Sequence, residues 1–417
     1  MKRNKLSVVT EIITKGTTPT TVGGDFLARG INFVKAEAIG ASRNLDHKVF
    51  DFIDQDTHVK LKRSQLKEFD LLVSIAGYLG KMSLVRKVDL PANTNQAVAI
   101  VRLDRTKVDP EYIYYYFSQE SAQKFIQLQS SQSVQANLNL ELLGSLDFLD
   151  YPLPTQRKIA AVLSVLDEKI ANNIEIISHS EKLATDIYAH WFIQNEFPNA
   201  SGLPFSTLGG VLNSDPRLHR EIPNGWLVSK LSEFAKIESG FPFDSGDYLT
   251  AGQYKIITIK NVQDDGLDTL KVNFVNDVPS GVPPHCKLKY GDVLISLTGN
   301  VGRVCLVNEE DLLLNQRVGV LSCNDDFRNY LYLHFLRPEV FRRLVNLAGG
   351  SAQANLSPIQ IAEDYILIPK KEVLIAFNAT VNPLIQNVLL VKNENLHLVA
   401  LRDKILPMLM HGQLSFK

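Results

Sequence analysis

The feature that most constrains this chain is that it repeats itself. Gly16 recurs as Gly240, and Asp70, Ser74, Gly77, Gly80 and Lys81 recur as Asp292, Ser296, Gly299, Gly302 and Arg303. Asn95-Gln96 returns as Asn315-Gln316, Gln135-Ala136-Asn137-Leu138 as Gln353-Ala354-Asn355-Leu356, and Pro154 as Pro369. The order is kept, and the spacing between partners shrinks smoothly, as small deletions in the second copy would produce. A period this long is a duplicated domain, so whatever fold serves residues 1–152 must serve again for 198–368. At 417 residues the chain has room for two or three domains, each burying its own core.

Each copy has a globular part and a helical part. Short apolar runs at 71–75, 98–103, 293–297 and 318–321, set between Gly, Asn and Asp turns, predict strands. Helical spacing of apolar residues predicts a helix over 110–128 and another over 330–347. The aromatics Tyr112, Tyr115, Tyr116 and Phe117 fit core packing better than base stacking.

After Pro154, the positions Ile159, Leu163, Leu166, Ile170, Asn173, Ile177, Ser180, Ala184, Ile187 and Trp191 step by threes and fours. Leu374, Phe377, Val381, Leu384, Val388, Val391, Asn395, Leu398, Arg402 and Ile405 do the same after Pro369. Both stretches predict a coiled-coil seam, over 153–197 and 369–417, and a run of roughly 40 helical residues is a rod about 60 Å long. Neither rod stays soluble with its stripe bare, so the expectation is that the two pack on each other, antiparallel. Asn173 and Asn395 fall on the seam, where a buried amide fixes register instead of adding stability. The fold class read from the sequence is therefore a pair of mixed α/β (α+β) globules, joined by two long antiparallel coiled-coil helices with an internal pseudo-twofold repeat.

Charge and cysteine content narrow the chemistry. Lys plus Arg number 44 against 45 Asp plus Glu, a net of −1, so any nucleic-acid surface has to be local. Cys286, Cys305 and Cys323 form no CxxC pair, which argues against structural zinc, dithiol chemistry and a secreted disulfide framework. The basic start is not followed by a signal-peptide core, and no apolar run reads as a membrane span, so the reading is a cytoplasmic protein without a membrane. A phosphate-binding loop of the Walker type is missing, since Gly80-Lys81 is followed by Met82 and lacks the upstream glycine. The one Pro-Pro pair, Pro283-Pro284, lacks the flanking residues of an amino-methyltransferase loop, and the nine His are scattered without a metal-binding cluster. No bound cofactor, metal or catalytic constellation is expected in this chain.

Two globules each followed by a long helix, with Leu153-Pro154-Thr155-Gln156-Arg157-Lys158-Ile159-Ala160 opening the first helix, resemble the DNA-specificity subunit of Type I restriction-modification enzymes. Gly16-Thr17-Thr18-Pro19, Glu221-Ile222-Pro223-Asn224-Gly225-Trp226 and Ser239-Gly240-Phe241-Pro242-Phe243 carry the same likeness, as does Leu401-Arg402-Asp403 running to Leu406-Pro407. Two departures stand out. The first globule lacks the Pro-Asn-Gly-Trp lead-in of the second, and the second helix begins with Lys370-Lys371-Glu372 in place of Thr155-Gln156-Arg157.

The resemblance implies that each globule is a target-recognition domain reading one half of a split, asymmetric sequence in double-stranded DNA. It also implies that the helices set the spacing between halves and dock modification subunits, two by the symmetry of the repeat, together with restriction subunits. S-adenosylmethionine, ATP and Mg2+ would sit on those partners.

Residues matched in both copies serve something common to both, either scaffold or grip on phosphate: Lys81, Arg303, Asn95, Gln96, Asn315 and Gln316, with Gln135, Asn137, Gln353 and Asn355. Base-reading residues belong where the copies diverge, at 40–67 and 263–289, with Arg43, Asn44, Gln263 and His285 as candidates. Two other classes stay open at this level: a DNA-modifying enzyme fragment, and a coiled-coil scaffold with no nucleic-acid role.

Overall fold

The structure, a computed structural model, describes residues 2–40, 42–131, 138–199, 201–349 and 354–414. The chain divides into two compact units, the first built from Met1–Ile170 with Leu398–Lys417, the second from Ala171–His397.

In the first unit a four-stranded antiparallel sheet runs in the order Thr10–Lys15, Val98–Leu103, Leu71–Ser74, Met82–Leu84. A three-stranded sheet orders Asp51–Ile53, Ile31–Val34 and Ala92–Thr94, the last pair being parallel. The strand Leu71–Ser74 is buried along its whole length. Its alternate side chains explain why it reads as an unbroken apolar run: Leu71 and Val73 face the helical core with Tyr112 and Phe148, while Leu72 packs with Val34, Val98 and Ile100 on the other face.

The second unit repeats this arrangement strand for strand. Its four-stranded sheet is Ala235–Ser239, Val318–Cys323, Val293–Ser296, Val304–Leu306, and its three-stranded sheet is Asn273–Val275, Tyr254–Ile257, Leu312–Leu314, again with one parallel pair. Val293 and Ile295 face one core and Leu294 the other. A smaller ladder closes each unit, Arg3–Lys5 on Asp147–Leu149 in the first and Leu227–Lys230 on Tyr365–Ile368 in the second. The Tyr112 hydroxyl donates to the Leu149 carbonyl at 2.7 Å, and the Tyr330 hydroxyl to the Leu367 carbonyl at 2.6 Å. Tyr112, Tyr115, Tyr116 and Phe117 are all buried, as core residues should be.

The helix expected over 110–128 is broken into Pro110–Ser118 and Glu120–Ser131, and that over 330–347 into Asp325–Phe335 and Pro338–Leu347. In the second unit Pro338 excludes helical geometry at Arg337, which is extended. In the first, Gln119 leaves the helix and its amide donates to the Tyr116 carbonyl at 2.9 Å.

Each of the long helices spans 40 residues, Leu153–Phe192 and Lys371–Met410. In the first unit Ile159, Ala160 and Leu163 share a core with Leu406, Leu409 and Met410. In the second, Ala184, Tyr188 and Phe192 share one with Phe377, Val381 and Ile385, and Val388 is fully buried. The seam is not apolar throughout. Leu166 and Ile170 are only half-buried, and Asn173 is fully buried with its amide bonded to Asn395. Lys392 pairs with Glu181 at 2.8 Å in the second unit, and Arg402 with Asp167 at 3.0 Å in the first.

Contrary to the sequence expectation, the helix Lys371–Met410 is long and apolar enough, by length and composition, to cross a membrane. Its apolar residues Leu374, Phe377 and Val381 lie in the core of the second unit. Its polar ones are engaged as well, Asn378 with the Asp326 carbonyl at 2.7 Å and Asn393 with the Asn308 carbonyl at 2.7 Å. Part of this helix is thus committed to the globular core.

Candidate nucleic-acid interface

The repeated residues form one turn system, built twice. The peptide nitrogen of Lys67 donates to Asp70 Oδ2, and that of Lys289 to Asp292 Oδ2, both at 2.7 Å. The strands that follow end in a loop closed by Gly80 N donating to the Ser74 carbonyl and Gly302 N to the Ser296 carbonyl, both at 2.9 Å. Gly77 and Gly80, like Gly299 and Gly302, hold positive φ, the conformation that glycine adopts without a Cβ penalty. Lys81 and Arg303 follow directly at the loop's exit.

A second matched element lies beside it. A Cβ on Gly16 would stand 2.1 Å from the Thr94 carbonyl oxygen, and one on Gly240 would stand 2.3 Å from that of Leu314. Gly16 and Asn95, and likewise Gly240 and Asn315, are therefore two sides of one close backbone approach.

The two copies dress this scaffold differently. Lys81 is exposed, with its ammonium 4.7 Å from the centroid of the exposed Tyr78 ring. Arg303 is half-buried, donating to Gln263 Oε1 at 2.8 Å and pairing with Asp264 at 2.8 Å. Two residues singled out separately in the sequence, Arg303 and Gln263, are thus brought together on one surface. Asn95 turns its carbonyl oxygen to the Ala97 peptide nitrogen at 3.1 Å, whereas the Asn315 amide faces the Tyr248 hydroxyl at 3.5 Å. Gln96 is exposed and accepts a hydrogen bond from Thr18, while Gln316 is exposed at the matching place.

The remaining candidates scatter. Arg43 faces inward, 8% exposed, with its guanidinium on Glu111 at 2.6 Å and Glu168 at 3.2 Å, so its donors are committed to the scaffold. Asn44 is half-buried, and its side-chain oxygen finds no partner. His285 is half-buried, its Nε2 2.9 Å from the Ser239 carbonyl and its Nδ1 3.6 Å from Glu238. Asn355 accepts from the Thr298 hydroxyl at 3.1 Å. Gln135, Asn137 and Gln353 lie outside the described residues. Thr17, Thr18 and Arg63 were missed as site residues, yet the exposed Arg63 donates to the Thr17 hydroxyl at 3.2 Å beside Gln96. Their signal was present: both threonines follow the Gly16 landmark, and Arg63 lies in the divergent stretch 40–67.

Among the described residues no group of His, Cys, Asp and Glu could hold a metal ion. The surface just described presents hydrogen-bond donors and cations.

The family pattern described as the Type I restriction modification DNA specificity domain matches twice, at residues 4–179 and 223–376. The specificity subunit of the Type I restriction enzyme MjaIX of Methanocaldococcus jannaschii is 25% identical over 368 residues, 86% of this chain and 81% of that protein. The HindI specificity subunit of Haemophilus influenzae is 21% identical over 73% of this chain and 77% of its own. In fold, the chain is similar to the crystal structure of the S subunit of a Type I restriction-modification system from M. genitalium, with a TM-score of 0.60 at 17% identity, over 98% of this chain and 95% of that one. Matched in both copies of its repeat and over most of its length, the chain belongs to the Type I restriction modification DNA specificity family and is a non-catalytic specificity subunit.

Proposed function

We propose that each globule, 1–152 and 198–368, reads one half of a bipartite, asymmetric double-stranded DNA target, and that the segments 153–197 and 369–417, with the helices Leu153–Phe192 and Lys371–Met410, set the half-site spacing and dock two modification subunits. The observation that carries this reading is one scaffold built twice with different polar residues on it: the exposed ammonium of Lys81 over Tyr78 in one copy, the Arg303–Gln263–Asp264 cluster in the other. Backbone-shared positions suit phosphate positioning, and divergent ones suit base readout. In this reading S-adenosylmethionine belongs to the modification subunits, ATP and Mg2+ belong to the restriction subunits, and this chain contributes recognition alone.

Replacing residues 1–152 by the equivalent region of a relative tests it. Mapping of methylated sites with the assembled complex should show one half of the target changed and the other retained. A change in both halves would mean that the globules do not read independently.

A further inference from the structure

In the second unit the helix Pro338–Leu347 begins against a cavity of about 160 Å3. Arg220, Arg337 and Arg343 line it, and Glu339 is the one carboxylate among the lining residues. Arg343 is matched by Asp364 at 2.8 Å and Arg337 by Glu339 at 3.5 Å. Arg220 donates to the Phe192 carbonyl at 2.6 Å and has no carboxylate partner among the described residues, so one cation is left over.

Two further groups lie at the same cavity. Arg337 occupies the N-cap of this ten-residue helix without a side-chain cap, and Pro338 has no N–H, so the peptide N–H groups of Glu339 and Val340, residues that line the cavity, receive no capping bond from the N-cap side chain. His334, 7% exposed, lines the same cavity; its Nδ1 lies 3.2 Å from the Tyr188 hydroxyl, and its Nε2 has no partner.

The first unit shows that the fold does not need these charges. Tyr112 bonds Leu149 as Tyr330 bonds Leu367, and Gly80 abuts Ile126 as Gly302 abuts Leu344, which fixes the register between copies. At the places of His334, Arg337 and Arg343 the first unit carries Tyr116, Gln119 and Phe125. A cationic pocket present in one copy of a duplicated scaffold serves something other than the scaffold.

We propose that this cavity binds a small tetrahedral oxyanion, inorganic phosphate or the terminal phosphate of a larger molecule, held by Arg220, Arg337, His334 and the N-terminus of the helix Pro338–Leu347. Guanidinium forks and uncapped helix N–H groups are the donors that such an anion accepts from. The volume falls below the range of about 300–1,000 Å3 that encloses drug-sized ligands, so a nucleoside would remain outside.

The full chain, without DNA, is titrated with inorganic phosphate at constant ionic strength while its thermal unfolding and the His334 imidazole NMR signals are followed. A saturable rise in Tm of a few degrees is expected, with a saturable shift of the His334 signals. Arg337→Gln and Arg220→Met should abolish both. A rise that never saturates, or that both variants share, is the generic effect of an excluded anion and overturns the proposal. Should a variant fail to fold, an unmoved His334 signal in the wild-type chain overturns it equally. Adenosine monophosphate as a second titrant identifies the source: a matching shift assigns the site to terminal phosphates, and a response to inorganic phosphate alone assigns it to the free ion. Since no DNA is present, failure here leaves the half-site reading untouched.

Discussion

Asn173 donates from its side-chain amide to Oδ1 of Asn395 at 2.8 Å, while also donating to Glu394 at 2.7 Å. Asn173 is fully buried, and the two asparagines meet across the seam within the second unit. Buried amides at such positions discriminate between registers, because a slip by one helical turn leaves them unpaired.

Asn173→Leu alone should therefore cost about 1–3 kcal/mol by removing its donations to Asn395 and Glu394 from a buried site, measured by urea denaturation. The double variant Asn173→Leu/Asn395→Leu should recover part of that loss, the donation to Glu394 staying absent, while loosening the register. If the double variant is as unstable as the single one, the amide pair is not a register device.

Gly16→Ala and Gly240→Ala should each cost about 3 kcal/mol, because the new methyl group meets a backbone carbonyl that cannot rotate away. Far-ultraviolet melts should show each variant losing stability. Methylation mapping of the assembled complex should show each losing recognition of one half of the target.

Lys81 and Arg303 occupy one position of the repeat but hold different partners. Lys81 has no carboxylate partner among the described residues, whereas Arg303 is already neutralised by Asp264. Lys81→Ala should lower the salt-dependence slope of DNA binding by about one, and Arg303→Ala by less. Binding by the assembled complex at a series of salt concentrations reads both slopes, and equal changes would remove the distinction drawn between the copies.

Burial, with Arg337, Arg343 and Arg220 nearby, pushes the His334 imidazole down to about 3 from 6.5. The unfolded chain takes up this proton below about pH 6.5, and the folded one refuses it until near pH 3. The stability this contributes is complete above about pH 6.5 and is lost as pH falls through that window. His334→Gln should flatten the dependence of unfolding free energy on pH between 6.5 and 4 by up to about 1.4 kcal/mol per pH unit. An unchanged slope would show that His334 is protonated in the folded chain.

The parts of this structure that were legible in the sequence are those where one residue type answers a local demand. Gly16 and Gly240 recur because nothing larger fits against the carbonyls of Thr94 and Leu314, and Asp70 and Asp292 recur because each accepts the peptide N–H three residues before it. The helical period placed Asn173 and Asn395 on a seam, where they meet. What escaped depends on partners distant in sequence. Arg43 reads as an exposed loop cation until Glu111 and Glu168 are seen to hold it, and nothing in the spacing of Gln263 and Arg303 announces their hydrogen bond. The break at Gln119 was invisible for another reason: no proline or glycine marks it, and its amide replaces the lost backbone bond.

The second unit is one uninterrupted stretch of chain, Ala171–His397, whereas the first is completed by Leu398–Lys417. On the ribosome this inverts the order of manufacture and the order of completion. Ile159 and Leu163 emerge early, but the side chains that cover them, Leu406, Leu409 and Met410, are made after the whole second unit. Until then the first unit carries an open apolar face, the kind of surface that nascent chains lose to aggregation. Folding of the intervening stretch shortens the effective loop that must close, so the unit made second should fold before the unit made first can finish.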